Sequence, residues 1–368
     1  MPTNVVLQAD SGSVDVEDLA RQIPVDWLSQ SLSERQAGTA VDSFSILRVV
    51  VGFSVKAWLK LNYGPSANPA KLPDVMILKA GFGRFEAINE FAYRGEMRSY
   101  RDVLPRFPIN SPRCYYAGAS PDGKSTAVLI EDLTPKNVRF CHALTPLDFD
   151  EAAAFLDALA RFHAQTWNNP ILTDGSYAWA YDQANAGAGL ASYQESLLSQ
   201  ASWDHFIAMP RGAAIPKILH DRNRFQAAFG RLQERSAEQP QVILVGDTHL
   251  GNLYIEPDGK PGFFDFLGRI AAWSQEVAYF MGAALDVLDR RAWERRLLGH
   301  YLERLVKCGV EAPNFEDGWR SYCEHLLYPL NTWILNGSEF QTESVNTANA
   351  FRTAMAVIDN GTLDLLER

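Results

Sequence analysis

The sequence is poor in cysteine, with only four in 368 residues. Cys114, Cys141, Cys308 and Cys323 lie far apart along the chain, and no two of them form a C-x-x-C pair. This spacing excludes a disulfide scaffold and argues against a structural zinc site. We therefore expect reduced, buried thiols, as is typical of a cytoplasmic protein.

Long apolar segments are also missing. The longest candidate for a membrane span, Val277–Leu285, is far shorter than the roughly 20 residues that cross a bilayer. The N-terminal sequence MPTNVVLQAD has neither a basic start nor a long apolar core, so no signal peptide is predicted. We expect a soluble, cytoplasmic protein with no membrane partner.

Positive charge is scarce as well. Lysine and arginine number 34 against 44 aspartates and glutamates, and the net charge is -10. Without a basic run the chain is a poor candidate for binding nucleic acid, because phosphate contacts need clustered cations. What the sequence has instead is apolar material. Hydrophobic residues make up 47% and charged residues 21%, a composition that supports a folded core.

The order of predicted elements separates a β-rich part from a helical part. Strands are predicted over residues 44–51, 55–63, 74–80, 114–119 and 125–131, and helices over 14–32 and 86–104. Beyond Leu133 helices dominate, with one beginning at Thr145–Asp148 and four more following Glu276. We therefore predict an α+β chain of two lobes, residues 1–133 and 134–368.

One short β segment interrupts the helical part and carries the chemistry. It is predicted to contain three strands, over 241–245, 253–255 and 262–265. We predict that the last two strands form a hairpin in which Ile255 lies opposite Gly262. That register would set Asn252 beside Asp265 at the open end of the hairpin. Asp247, on the loop before the hairpin, would reach the same end.

These three side chains form a set suited to phosphoryl transfer. Asn252 and Asp265 offer an amide oxygen and a carboxylate, hard ligands that suit Mg²⁺. Asp247 is a second carboxylate that could accept a proton from a hydroxyl. In the kinase catalytic loop, four residues separate an aspartate base from a metal-binding asparagine. Asp247 and Asn252 have the same spacing. The glycine after Asp265-Phe266 comes one residue late, at Gly268, so the motif is not a protein-kinase D-F-G.

Each of these residues taken alone would more often be structural. Asp247 and Asn252 could cap a turn, and Asp265 could be an acid at a strand end. All three at this spacing favour function. Two roles are open for His249. It could contact the transferred phosphate, or it could brace the loop.

The loop resembles the aminoglycoside phosphotransferase and choline kinase group, and most closely its ecdysteroid kinase-like branch. The group carries an H-G-D-x-H-x-G-N loop and a downstream D-F, and this chain matches both, with Val245 in place of the first histidine. Further matches are Glu131–Leu133, Phe162–Ala164 and Glu276–Tyr279. The resemblance implies a bilobal protein-kinase-like fold that holds ATP between its lobes.

In such a fold the β-rich lobe binds ATP, and Lys79 and Glu96 are candidates to hold its phosphates. Lys79 shares a strand face with Val75 and Ile77, where a lysine is costly unless an anion meets it. Glu96 lies on the following helix and begins a sequence that resembles the group's E-x-x-x-Y pattern. The alternative is that both side chains extend into solvent.

Two further segments are predicted to contact the nucleotide. The turn Gly52-Phe53-Ser54 lies between two predicted strands, where kinases cover the phosphates. A single glycine there is weak evidence, because any hairpin can use one. Glu131-Asp132-Leu133 ends a strand where the composition changes, and we predict that it is a hinge whose backbone contacts the adenine.

We predict a small-molecule kinase that uses ATP and Mg²⁺, with Asp247 taking the proton of the acceptor hydroxyl. The resemblance suggests a steroid, terpenoid or similar alcohol as acceptor, although an acidic chain could equally bind an amine-bearing sugar or an amino alcohol. One alternative is a nucleotide-binding pseudokinase. A metallophosphoesterase is the other, and it would need further ligands downstream, where His300 and His325 both fall in predicted helices.

Overall fold

The computed structural model of the chain describes residues 7–8, 15–52, 54–65, 72–80, 93–120, 125–180 and 198–368. The chain divides into two compact units. The first consists of Met1–Arg106 and Ser111–Asn137, and the second of Phe107–Asn110 and Val138–Arg368. The change of composition that the sequence places after Leu133 falls close to this division.

A mostly antiparallel sheet forms the greater part of the first unit. Its strands are β1 (Leu7–Gln8), β2 (Val41–Val51), β3 (Val55–Tyr63), β4 (Val75–Ala80), β5 (Cys114–Ala119) and β6 (Thr126–Glu131). They follow the order β1-β2-β3-β4-β6-β5, and the pair β1-β2 is parallel. The five strands predicted for this part are confirmed, with their ends shifted by a few residues.

Strand β3 shows how the sequence pattern produces the packing. Val55, Ala57, Leu59 and Leu61 are buried, whereas Lys60 between them is exposed. Because successive side chains of a strand point to opposite faces, the four apolar residues all face the core under the sheet. The predicted period of two is confirmed.

Two short helices pack on this sheet, α1 (Val16–Arg21) and α2 (Val25–Ser33). The sequence predicted one continuous helix over 14–32. This prediction was wrong, because the structure has two helices there. Pro24 lies at the break, where it lacks the backbone N–H of a continuous helix and disfavours helical geometry in the residue before it. The buried side of α2 joins the core of the sheet.

The helix that follows β4 carries a predicted site residue. Residues 93–98 form α3, which continues into a π-helical turn, Ser99–Val103. Glu96 and Met97 are both buried, so α3 presents Glu96 towards the interior of the first unit. The earlier part of the predicted helix, up to residue 92, lies outside the described residues.

Helices make up most of the second unit. They are α4 (Phe149–Ala164), α5 (Gln200–Ala208), α6 (Pro210–Ala214), α7 (Arg222–Ala237), α8 (Trp273–Ala284), α9 (Val287–Lys307), α10 (Phe315–His325), α11 (Leu327–Leu335), α12 (Glu343–Asp359) and α13 (Thr362–Glu367). The sequence predicted four helices after Glu276. That number was too low, because local caps such as Asp286 and Asn314 divide the region further. No helix in the described part of the chain is both long and apolar enough for a membrane span.

The described part of the second unit also contains five short strands. They are β7 (Arg139–Phe140), β8 (Gln241–Leu244), β9 (Leu253–Ile255), β10 (Pro261–Phe263) and β11 (Arg269–Ala272). One sheet has the order β10-β9-β7, and β11 pairs with β8. Helix α8 begins directly after β11 and is buried along its whole length, so its polar residues also lie in the interior.

A capping box fixes the start of α4. The Asp148 carboxylate accepts the Glu151 backbone N–H at 2.9 Å, and the Glu151 carboxylate accepts the Asp148 N–H at 3.3 Å. The sequence predicted a start at Thr145 with Asp148 as an acid inside the helix, and this start was three residues too early, because Asp148 is itself the capping residue and Glu151 is the acid at the third helical position.

Asp148→Ala should lower the free energy of unfolding by about 1 kcal/mol, because it removes the side-chain acceptor at a helix start. Urea denaturation of the full chain measures this loss. Asp150→Ala changes an exposed acid in the first turn of the same helix that does not cap it, and it should cost less. Equal losses in the two variants would contradict the capping role.

Candidate active site

The loop after β8 begins with a sharp turn at Val245 and Gly246. Gly246 has φ 97°, a left-handed conformation that favours glycine. A Cβ at this position would lie 3.0 Å from the Cβ of Leu267, so a side chain would also crowd the segment that follows Asp265. The Leu267 N–H donates to the Val245 carbonyl at 2.8 Å. The segments that carry Asp247 and Asp265 are therefore adjacent and bonded through their backbones.

Glu276 of α8 holds this turn from the other side. Its carboxylate accepts the Val245 N–H at 3.0 Å and the Gly246 N–H at 2.7 Å. One of its oxygens also lies 2.8 Å from Nε2 of His163, whose Nδ1 lies 2.8 Å from the Tyr301 hydroxyl. Glu276 and His163 are almost completely buried. This network fixes the backbone immediately before Asp247.

Val245, which takes the position of the first histidine in the resembled motif, makes two backbone hydrogen bonds at this turn. Val245 contributes its backbone N–H to Glu276 and its carbonyl to Leu267, and its side chain is buried. Any residue with an N–H can make both backbone bonds. The hydrogen bonds of Val245 that hold the turn before Asp247 are therefore backbone bonds.

Two neutral donors orient the Asp247 carboxylate. Its Oδ1 accepts the Tyr279 hydroxyl at 2.8 Å, and its Oδ2 accepts the Asn252 amide nitrogen at 2.9 Å. Since Asp247 remains 33% exposed, the carboxylate is oriented but still accessible. An ionised carboxylate has about four acceptor positions, so acceptor capacity remains after these two bonds. Sequence patterns did not identify Tyr279 as a partner, because its position depends on how α8 packs.

Asn252 ends a short 3-10 turn, Leu250–Asn252. Its amide nitrogen donates to both the Asp247 carbonyl, at 3.0 Å, and the Asp247 carboxylate. Because only the NH₂ group can donate to these two acceptors, the side-chain oxygen of Asn252 is the atom that remains for a cation. The residue therefore suits the predicted role of metal ligand.

The hairpin register differs from the prediction. Ile255 pairs with Pro261 rather than with Gly262, and Tyr254 pairs with Gly262. The turn is one residue shorter than expected, because the Glu256 N–H bonds the Lys260 carbonyl and closes it early. The predicted side-by-side pairing of Asn252 and Asp265 was therefore wrong.

Asp265 lies just beyond the hairpin, after Phe264, whose N–H donates to the Asn252 carbonyl at 3.1 Å. Asp265 has φ 58°, a conformation uncommon for a residue with a side chain and more frequent for aspartate and asparagine than for most others. Such backbone outliers occur often at functional sites, where the surrounding structure stabilises them.

His249 braces the loop. Its Nδ1 accepts the Gly251 N–H at 3.0 Å, and its Nε2 lies 3.6 Å from the Asp247 carboxylate. Its ring packs edge-on against Trp333, with 5.3 Å between the ring centroids. These contacts support the bracing role, and a contact with phosphate stays a prediction.

In the first unit, the structure brings Lys79 and Glu96 together. The Lys79 ammonium donates to the Glu96 carboxylate at 2.7 Å, and both residues are buried, with 7% and 5% of their surfaces exposed. Neither side chain extends into solvent, in contrast to the alternative considered from the sequence.

The other predicted nucleotide contacts have local partners. The Gly52 N–H bonds the Ser54 carbonyl at 3.1 Å, and Phe53 lies outside the described residues. Glu131 pairs with Lys136 at 2.9 Å. Asp132 accepts the Thr134 N–H at 3.0 Å, and Leu133 is buried. A contact of residues 131–133 with adenine would therefore be made by their backbone.

Comparison with known proteins agrees with this architecture. The sequence model of the ecdysteroid kinase-like family matches residues 76–311, more than half of the chain. The solved ethanolamine kinase of Plasmodium vivax is similar over 87% of this chain and 81% of that chain, with 10% identity and a TM-score of 0.50. At this identity the likeness shows the fold alone. The predicted protein-kinase-like α+β fold, with a β-rich N-terminal part and a helical C-terminal part, is confirmed.

Two further solved structures are similar at lower TM-scores. An aminoglycoside 2'-phosphotransferase-IIIa in complex with GDP has 11% identity and a TM-score of 0.49, over 92% of this chain and 100% of that chain. The choline kinase LicA from Streptococcus pneumoniae has 11% identity and a TM-score of 0.47, over 91% of this chain and 98% of that chain. A comparison with curated proteins found no match.

Glu276→Gln should lower the free energy of unfolding by about 2 kcal/mol, because an amide cannot accept both backbone N–H groups as the carboxylate does and leaves a buried donor unsatisfied. Chemical denaturation measures the loss. The matched control is Glu303→Gln, an exposed position on α9, which should change stability little. If the two variants are equally stable, Glu276 does not hold the turn.

Proposed function

The chain belongs to the ecdysteroid kinase-like family, whose fold is that of kinase-like phosphotransferases, and we propose that it transfers the γ-phosphoryl group of ATP to a hydroxyl of a small molecule. The observation that carries this proposal is the environment of Asp247. Its carboxylate is accessible and oriented, and it is bonded to Asn252, the proposed metal ligand.

Asp247 is the proposed general base. Its two hydrogen-bond donors are a phenol and an amide, and among the described residues no lysine or arginine forms an ion pair with it. An acidic group with neutral partners keeps its capacity to accept a proton. In the proposed reaction the acceptor oxygen forms a bond to the γ-phosphorus and its proton passes to Asp247. The bond to the β–γ bridging oxygen breaks, and ADP leaves.

Asn252 and Asp265 are the proposed ligands of Mg²⁺. An amide oxygen and a carboxylate are appropriate, because magnesium is commonly held by one or two protein carboxylates together with substrate phosphates. The bound ion would neutralise charge on the phosphates. The bond from the Asn252 amide nitrogen to Asp247 turns the amide oxygen away from the base, which supports separate roles for the two residues.

Lys79, oriented by Glu96, is proposed to bind the α and β phosphates. A buried ion pair is weak evidence for stability, since apolar side chains of similar volume often serve as well. The proposed role in binding an anionic ligand accounts for the presence of the Lys79–Glu96 pair. The backbone of residues 52–54 is proposed to cover the phosphates, and that of residues 131–133 to contact the adenine.

The acceptor is proposed to be a small-molecule alcohol. Steroid and terpenoid alcohols remain candidates by analogy with the family's name, and amino alcohols and amine-bearing sugars remain candidates from the acidic composition. A mixed pool containing all four classes is therefore the appropriate substrate for a first assay.

Lys79→Met should abolish the stabilisation of the protein by Mg·ATP. A ligand at 100 times its Kd raises the unfolding free energy by about 2.7 kcal/mol, which a thermal shift assay detects. Lys60→Met, an exposed lysine on the neighbouring strand β3, should keep the shift. The same shift in all three proteins would contradict the role of Lys79, and no shift in the wild type would contradict ATP binding.

Asp247→Ala should lower kcat by about 10²- to 10⁴-fold, the range for loss of a general base, and leave the Kd of Mg·ATP unchanged. Asp265→Ala should mainly weaken Mg·ATP binding. Turnover is measured as ADP release with the alcohol pool, and binding by calorimetry. Asp258→Ala, in the hairpin turn, is the control and should behave as wild type.

Equal turnover in the wild type and Asp247→Ala would refute the base assignment. Binding of Mg·ATP without turnover on any alcohol would favour a pseudokinase. Cleavage of an aryl phosphate with Mn²⁺, together with no response to ATP, would favour a metallophosphoesterase.

A further inference from the structure

The phenol of Tyr279 is a second donor to the catalytic carboxylate. It lies on α8, one helical turn beyond Glu276, and it donates to Asp247 Oδ1 at 2.8 Å. One helix therefore supplies two contacts to the catalytic loop. Glu276 holds the backbone before Asp247, and Tyr279 holds the side chain of Asp247 itself.

Packing fixes the Tyr279 ring. Only 3% of the residue is exposed. The ring stacks on Trp333 with an interplanar angle of 13° and meets Tyr328 edge-on, with 5.8 Å between the centroids. Trp333 also contacts His249, the residue that braces the catalytic loop. The phenol oxygen is therefore held in one place relative to Asp247.

Tyr279 is a permanent donor in this position. Burial raises the pKa of Tyr279 well above its ordinary value, and the neighbouring Asp247 raises it further. The phenol therefore keeps its proton at neutral pH, and its hydroxyl has a hydrogen to donate to Oδ1.

Two donors on different oxygens fix a carboxylate more strictly than one. With only the hydrogen bond from the Asn252 amide to Oδ2, the carboxylate could pivot about that hydrogen bond. With the Tyr279 hydroxyl on Oδ1 as well, the plane of the carboxylate is defined. A small misorientation of a reacting group lowers the rate steeply, by about 100-fold for about 1 Å.

We propose that Tyr279 is a positioning residue, which holds the Asp247 carboxylate in the orientation from which it takes the proton of the acceptor alcohol. This inference rests on the proposed function, because it assigns Asp247 the role of base. Tyr279 itself does not touch the reacting atoms in this account and exchanges no proton with the acceptor.

Tyr279→Phe tests this inference, because it removes the hydroxyl and keeps the ring. We expect kcat with the alcohol pool to fall by about tenfold or more, with the Kd of Mg·ATP and the melting temperature close to those of the wild type. Tyr328→Phe is the matched control. It removes the hydroxyl of the adjacent ring, which bonds Arg269 rather than Asp247, and it should keep wild-type kcat.

Wild-type kcat in Tyr279→Phe would overturn the inference and leave the proposed function intact. Parallel losses of kcat, Kd and melting temperature in both variants would also overturn it, since they indicate a packing role. No turnover by the wild type would refute the proposed function and this inference with it.

A second measurement covers the case in which Tyr279→Phe does not fold. In the wild type, the Tyr279 hydroxyl proton should exchange slowly with water and give a resolved NMR signal. Asp247→Ala should lose that signal. A signal that is absent from the wild type, or unchanged in Asp247→Ala, would overturn the inference.

Discussion

The site depends on the hydrogen bonds that the buried carboxylate of Glu276 accepts. It accepts two successive backbone N–H groups, from Val245 and Gly246, and is itself held by His163. Because buried donors and acceptors are costly to leave unpaired, this arrangement tolerates little displacement. The orientation of the loop that carries Asp247 then follows from a helix that is buried along its whole length.

Several features of the site could be predicted from local sequence rules. The alternation in β3 located a strand, and the apolar neighbours of Lys79 indicated a lysine that needs an anionic partner, which the structure shows to be Glu96. The spacing of Asp247 and Asn252 fits a loop in which the amide of one contacts the carboxylate of the other. These rules succeed because they depend on residues close together in the chain or on the period of one element.

Features set by tertiary packing could not be predicted. The hairpin register depends on one backbone bond across the turn, between Glu256 and Lys260, that no side-chain pattern encodes. Tyr279 reaches Asp247 only because α8 packs beside the loop, and a tyrosine in an apolar helix has the same pattern as an ordinary core residue. The break at Pro24 was different, since the proline itself was a visible signal.

In the proposed site, Asn252 and Asp265 bind the metal, and Asp247 stays outside its coordination shell as the base. A crystal structure with Mg²⁺ and a non-hydrolysable ATP analogue tests this most directly. We expect the Asn252 side-chain oxygen and an Asp265 carboxylate oxygen at about 2.0–2.1 Å from the ion, with the Asp247 carboxylate outside its coordination shell and still bonded to the Asn252 amide. An ion coordinated by Asp247, or bound away from Asn252 and Asp265, would contradict the account.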